Sequence, residues 1–328
     1  MKAAPHILPL NRSMESASSP KDDQDRLCLL ALSRVEFLSP REKHRLLAML
    51  GGPAPLFHLP LAEISRLLGR RMITRAWDPQ DLLRGAEELR GRLTADGTTS
   101  IFYGDSQYPP LLGEIRDPPL VLYLRGSLPG SAEPLAGIVG TRFPTGAGRQ
   151  AAFRLGRDLG AGGVWVVSGL ARGIDREAHE GCEQSGGRSV AVLGNGIDLI
   201  YPSSSRGAAI ALLRRGGGIL SEYPPGVPPL RWHFPARNRI ISGLSRGVVI
   251  VEAPERSGAL FTADFALDQG RDLWVHASGL LGSTGAGTRR LALSGAPVIR
   301  GATEILRAWG IEGSEGTPTS GACAPRAG

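Results

Sequence analysis

The chain has 328 residues, 41% hydrophobic and 21% charged, enough to bury a core in two domains or in one large one. Its 38 Lys and Arg against 31 Asp and Glu give a formal charge of +7, compatible with a polyanionic partner and equally with a plain basic surface. Cys28, Cys182 and Cys323 lie far apart with no CxxC pair and no His/Cys cluster, which argues against a zinc site and for a reducing compartment.

Residues 1–24 are polar and Ser-rich and are expected to form a disordered lead. No apolar stretch there suits a secretory signal, and no 18-residue apolar run occurs elsewhere. The expectation is a soluble, cytoplasmic protein with no membrane partner. Residues 25–95 read as a small all-helical domain. "RLCLLALSRV" and "SPREKHRLLAML" repeat apolar residues at three-to-four spacing, and Ser39-Pro40 supplies a cap followed by proline at the first helical position. "AEISRLLG" and "PQDLLRGAEELRGRL" continue the pattern after a "GGPAPLF" turn.

Across residues 96–310 the pattern changes to short Val/Ile-rich runs alternating with helical segments: "LVLYLRG", "LAGIVG", "VWVVSG", "SVAVLG", "GILSEY", "GVVIVEA" and "DLWVHA". Runs without polar alternation, spaced by helices, predict a mostly parallel, doubly wound α/β sheet covered on both faces. Residues 311–328 are low in complexity and are expected to be a disordered tail.

In such a sheet ligands bind beyond the carboxyl ends of the strands. The segments there are "GTRFPTGAG", "SGLARGID", "GNGIDLIYP" and "EAPERSGALFTA", which mix glycine with small hydroxyls and arginine. Glycine lets backbone amides approach an oxyanion, and a helix start adds partial positive charge. Four such turns on one edge make an anion-binding rim. A dinucleotide is disfavoured: "GAGRQA" begins six residues beyond its strand, "GNGIDL" puts Leu199 where a small residue is needed, and no Walker lysine exists. No nucleotide cofactor is therefore expected. Asp175 and His179 share a helix face, yet no nucleophile stands beside them and no GxSxG elbow occurs. Glu222 and Glu252 end strands, where buried acids more often bond loop amides than catalyse.

A nucleic-acid strand fits the rim better. Arg142, Arg172, Arg237, Arg239 and Arg256 supply cations, and Phe143, Trp232, His233 and Phe234 offer faces for unpaired bases. Arg149, Arg154 and Arg157 read as a solvated helix face. In "FPARNRIISGLS", Pro235 is expected to open a loop, with Arg237 to Arg239 facing the rim and Ile240, Ile241 and Leu244 anchoring the next helix.

"YPPLLGEIRDPPLVLYLRG", "GIVGTR", "VVSGLARGIDREAH", "AVLGNGIDLIYP", "GILSEYPPG", "FPARNRIISGLSRGVVIVEA", "SGALFTA" and "TRRLALSGAPVI" follow one another in order. Together they resemble the DNA-processing protein A (DprA, or Smf) family. The resemblance implies an extended Rossmann-like fold behind a SAM-like or helix-hairpin-helix module. It also implies a homodimer that binds single-stranded DNA and hands it to the recombinase RecA during natural transformation, without catalytic residues, metal or cofactor. The family's phosphate motif falls on Gly140, Thr141 and Arg142, with Phe143 beside it. Its second segment falls on Ser168, Gly169, Arg172 and Gly173, "RNR" on Arg237, Asn238 and Arg239, and the Ser-Gly loop on Ser257 and Gly258. Two departures stand out: "VHASG" at 275–279 replaces the usual "VPG", and the residues after the last helix are too few for the winged helix that many members carry. The alternative is a Rossmann-like nucleoside-monophosphate N-glycosidase with "RSGALFTADFA" as its loop and helix. That segment offers Asp264 in place of a catalytic glutamate and lacks a PGGxGTxxE sequence.

Overall fold

The computed structural model describes residues 22–74 and 76–311; all but the first residue of the expected tail at 311–328, and nearly all of the expected lead at 1–24, lie outside them. Four helices come first: α1 (Asp23–Ser33), α2 (Pro40–Leu50), α3 (Leu61–Leu68) and α4 (Pro79–Ala95). Ser39 and Glu42 form a reciprocal capping box at the start of α2, with Pro40 at its first position. Then follow β1 (Thr99–Phe102), the one-turn α5 (Pro110–Gly113) and β2 (Val121–Gly126). The alternating segment runs β3 (Leu135–Val139), α6 (Gly146–Ala161), β4 (Trp165–Ser168), α7 (Ile174–Gln184), β5 (Ser189–Leu193) and α8 (Arg206–Arg214). It continues with β6 (Gly218–Ser221), α9 (His233–Leu244), β7 (Gly247–Ile250), α10 (Gly258–Asp268) and β8 (Asp272–His276), and ends with α11 (Ala286–Leu293), β9 (Val298–Ile299) and α12 (Ala302–Ala308).

The strands form one nine-stranded sheet ordered β1-β2-β6-β5-β4-β3-β7-β8-β9. Seven strands, β6 to β9 in that order, are parallel, and β2 and β1 extend the β6 edge antiparallel. The Val/Ile runs are buried on both faces, as a parallel sheet demands: every residue of β4, β5, β6 and β7 is buried. Ile240, Ile241 and Leu244 of α9 pack with Ala259, Leu260 and Ala263 of α10 on one face. Ala152, Leu155 and Leu159 of α6 pack with Ala178 and Cys182 of α7 on the other.

The N-terminal helices sit directly on this sheet. Leu29, Leu32, Leu46 and Leu89 belong to one buried cluster with Val121, Tyr123 and Ile219. His44 contacts the Pro118 carbonyl at 2.8 Å through Nε2, and Arg26 pairs with Asp105 at 2.8 Å.

The chain leaves β3 toward β4, β5 and β6, then returns through α9 to place β7 on the other side of β3. Val139 pairs with Ile250 across that junction. The switch point therefore lies between the ends of β3 and β7, where a doubly wound sheet opens a crevice.

Candidate functional site

A cleft of about 560 Å³ occupies the switch point, lined by Gly140 to Phe143 after β3 and by Pro254, Ser257 and Gly258 after β7. A side cavity of about 240 Å³ continues from it, sharing Arg142, Phe143, Phe234 and Arg237 and adding Gly169 and Arg172. Arg142, Arg172 and Arg237 thus converge on one connected hollow.

Each rim loop has a local reason for its shape. Thr141 donates its amide to the Glu252 carbonyl at 2.7 Å, and its Oγ1 accepts from the Phe143 amide at 3.2 Å. Glu252 is fully buried and accepts from the amide and hydroxyl of Thr145, the latter at 2.7 Å; it is a structural acid beneath the rim. A Cβ on Gly148 would collide with that carboxylate, which accounts for the glycine in "GAGRQA" without any dinucleotide. Gly173 has φ of +80°, and a Cβ there would sit 2.5 Å from the Thr141 carbonyl oxygen. This glycine lets the β4 loop close against the β3 loop. Ser257 caps α10, accepting from the Ala259 amide at 3.2 Å, and Gly258 opens onto free space.

Arg142 is exposed, has no carboxylate within ion-pair distance among the described residues, and lies 5.5 Å from the centre of the Phe234 ring. Phe143 is 77% exposed. Arg172 is exposed and reaches Ser204 Oγ at 3.4 Å. Arg237 forms the buried floor, donating to the carbonyls of Gly169 (3.1 Å) and Val192. Burial lowers its pKa to about 10, so it stays cationic at neutral pH. Asp175 is buried beside it and accepts the Gly169 amide at 3.1 Å; burial raises its pKa, opposed by the Arg237 charge and by loop amides. Asn238 accepts from Arg237 Nε at 3.3 Å and donates to the Gly258 carbonyl at 3.1 Å, holding the α10 start to the cleft wall.

Two expected site residues lie elsewhere. Arg239 is 4% exposed and turned away from the cleft, bonded to Glu222 at 2.7 and 2.8 Å and to Asp117 at 3.1 Å. The expected loop after Pro235 is instead the first turn of α9, which spans His233–Leu244. Side chains two apart on a helix point about 200° from each other, so Arg237 and Arg239 cannot share a rim. Ser168 is fully buried and donates to the Ile138 carbonyl at 2.6 Å, a strand-end contact below the floor. Glu222 is likewise no rim carboxylate but the partner of Arg239.

His179 is buried against Ser189 Oγ at 3.0 Å, and burial pushes its pKa down to about 3. It packs as a neutral ring and does not pair with Asp175. Asp264 is exposed on α10 and does not line the cleft. The cleft also recruits Tyr201, Arg231 and Thr262. Tyr201 is 45% exposed, 5.7 Å from the Phe234 ring, and follows no strand directly. Its aromatic ring in the β5 loop was the available signal; Arg231 and Thr262 carried none. Among the described residues no cluster of three or more His, Cys, Asp or Glu is placed to hold a metal ion. No helix among them is long and apolar enough to cross a membrane.

Fold and cleft define the class: an extended Rossmann-like α/β protein with a basic, aromatic-flanked cleft at its switch point. Residues 99–310 match the family described as DNA recombination-mediator protein A, and the chain belongs to that family. It is 44% identical over 210 residues to Protein Smf of Synechocystis sp., covering 63% of this chain and 52% of that protein. It is 38% identical over 202 residues to DNA processing protein DprA of Streptococcus pneumoniae, covering 62% and 71%. The match thus spans about half the length of the Synechocystis and Escherichia coli relatives. The X-ray structure of S. pneumoniae DprA superposes with a TM-score of 0.70 at 31% identity, covering 88% of this chain and 98% of that one. A Helicobacter pylori DNA processing protein A, whose structure is described in terms of its single-stranded DNA binding mode, superposes with a TM-score of 0.56 at 28% identity. That alignment covers 65% of this chain and 95% of the other.

Proposed function

We infer that the chain binds single-stranded DNA in the switch-point cleft and acts in DNA processing during natural transformation, delivering the strand to the recombinase RecA as a cytoplasmic homodimer. The observation that carries the reading is the convergence of Arg142, Arg172 and Arg237 on one hollow flanked by Phe143, Tyr201 and Phe234. Guanidinium groups and loop amides neutralise a phosphate backbone, while exposed rings give unpaired bases a stacking surface that a duplex does not use. The S. pneumoniae and H. pylori proteins, similar in fold and sequence, support the same assignment.

The protein works by binding rather than catalysis. The carboxylate lining the cleft, Asp175, is buried and held by the Gly169 amide, and Asp264 lies outside, which disfavours the N-glycosidase reading. Nucleoside monophosphates incubated with the protein are expected to release no free base.

The decisive experiment is a salt titration of oligothymidylate binding by the wild type and Arg142→Ala. Affinity is expected to fall about tenfold or more, as for a lost charge-assisted contact, and the salt slope to drop by about one. The melting temperature should stay unchanged, because Arg142 is exposed. Equal affinity and slope for the two proteins would remove Arg142 from the site.

A further inference from the structure

A second hollow, about 1060 Å³, runs between the N-terminal helices and the α/β layer, where Arg34, Glu88 and Arg92 face Tyr223, Trp232 and His233. It is separated from the cleft by the short segment 229–236. Pro229, Arg231, Phe234 and Pro235 line the cleft, whereas Leu230, Trp232, His233 and Ala236 line the groove. Trp232 is 60% exposed despite its size, and its ring lies edge-on to His233, which stacks on Tyr223 at 4.0 Å. Arg92 reaches toward the loop that carries Gly226. Nη1 of Arg239, a residue 4% exposed, is buried at the groove wall with no hydrogen-bond partner among the described residues.

We propose that this groove is a second nucleic-acid subsite, in which a single strand leaving the cleft past Arg231 stacks a base on Trp232 between the two modules. The proposal rests on the cleft being a single-strand site and extends its path. Charge alone does not carry it: Glu36 and Glu88 also line the groove, and Glu222 and Asp117 are already neutralised by Arg239. Stacking therefore supplies the affinity, with the exposed Arg34 and Arg92 available to flanking phosphates. The N-terminal helices thereby gain a role as one wall of the binding path.

The test compares oligothymidylates of about 6 and about 20 nucleotides, spanning the site sizes of single-strand binding modules. Trp232→Ala is expected to weaken binding of the long strand at least about fivefold and to leave the short one within about twofold. A photoreactive base placed along the long strand should cross-link to Trp232 itself, resolved from Phe234 by fragmentation of the tryptic peptide 232–237. Unchanged long-strand affinity in Trp232→Ala, or an equal loss for both lengths, overturns the proposal. Cross-links confined to Phe143, Tyr201 or Phe234 overturn it as well. Failure of the wild type to hold the short strand would instead strike the cleft assignment.

Discussion

The two arginines of "RNR" sit on one helix and do opposite things. On one side of α9, Arg237 closes the floor of an open cleft, among rim loops whose exposed arginines, Arg142 and Arg172, have no acid partners among the described residues. On the other, Arg239 is sealed between Glu222 and Asp117, with Lys43 nearby donating to the Ser33 carbonyl at 3.1 Å. Burial lowers the Lys43 pKa to about 8, and the Glu222 and Glu36 charges partly restore it. The difference teaches that arginine content does not identify a nucleic-acid site; what counts is whether the guanidinium borders an open cleft, as Arg237 does, or is neutralised by carboxylates, as Arg239 is.

The largest expected effect follows from the sealed side. Arg239→Met strips Glu222 and Asp117 of the guanidinium that bonds both, leaving Lys43 as the remaining nearby cation, and chemical denaturation should show a loss of about 3 kcal/mol. Short-strand affinity of the folded fraction should be unchanged. If that affinity collapses with fold intact, the two sides of α9 are not independent.

Gly173→Ala tests the open side. The new Cβ meets the Thr141 carbonyl at a backbone conformation that side chains rarely adopt, so stability should fall by about 2–4 kcal/mol. Here DNA affinity should fall too, because the displaced segment carries Arg142.

A pH-dependent effect, small at neutral pH, belongs to the interior of α7. His179 is depressed from its ordinary 6.5 to about 3, so between those values the unfolded chain takes up a proton that the folded chain refuses. Its contribution is fully present above pH 6.5 and lost as the pH falls toward 3. Melting temperature measured across that window should decline in the wild type and less steeply in His179→Gln.

The smallest effect marks the edge of the site. Arg149 pairs with Glu177 at 3.4 Å on an exposed face of α6, and Arg149→Ala should alter neither melting temperature nor affinity measurably. A clear loss of affinity would extend the interface along α6.

Much of the fold was legible because its signals are local. Doubly buried strands require unbroken Val/Ile runs, and the capped helices from Leu27 to Leu93 show their periodicity directly. Part of the rim was legible for the same reason: Gly140 to Phe143 follow β3 immediately, and Ser257-Gly258 open α10 beyond β7. The face on which α9 presents each arginine was not. That depends on whether the segment is loop or helix, and Pro235, tolerated in a first turn, reads as either. Ser168 looked like part of a loop, yet it closes a strand; one residue of register separates a rim hydroxyl from a buried one. Tyr201 and Arg231 enter the cleft through tertiary folding of loops, for which no periodicity exists.

The pairing of Val139 with Ile250 has an implication for synthesis on the ribosome. A nascent chain that has emerged only through β6 holds β4, β5 and β6 as neighbours on one side of β3, yet the far edge of β3 stays bare and the β7 wall of the cleft is missing. Such an intermediate exposes an apolar strand edge and lacks the β7 side of the cleft. The cleft is therefore a late feature of the chain, closed only once β7 and the start of α10 are in place beside β3.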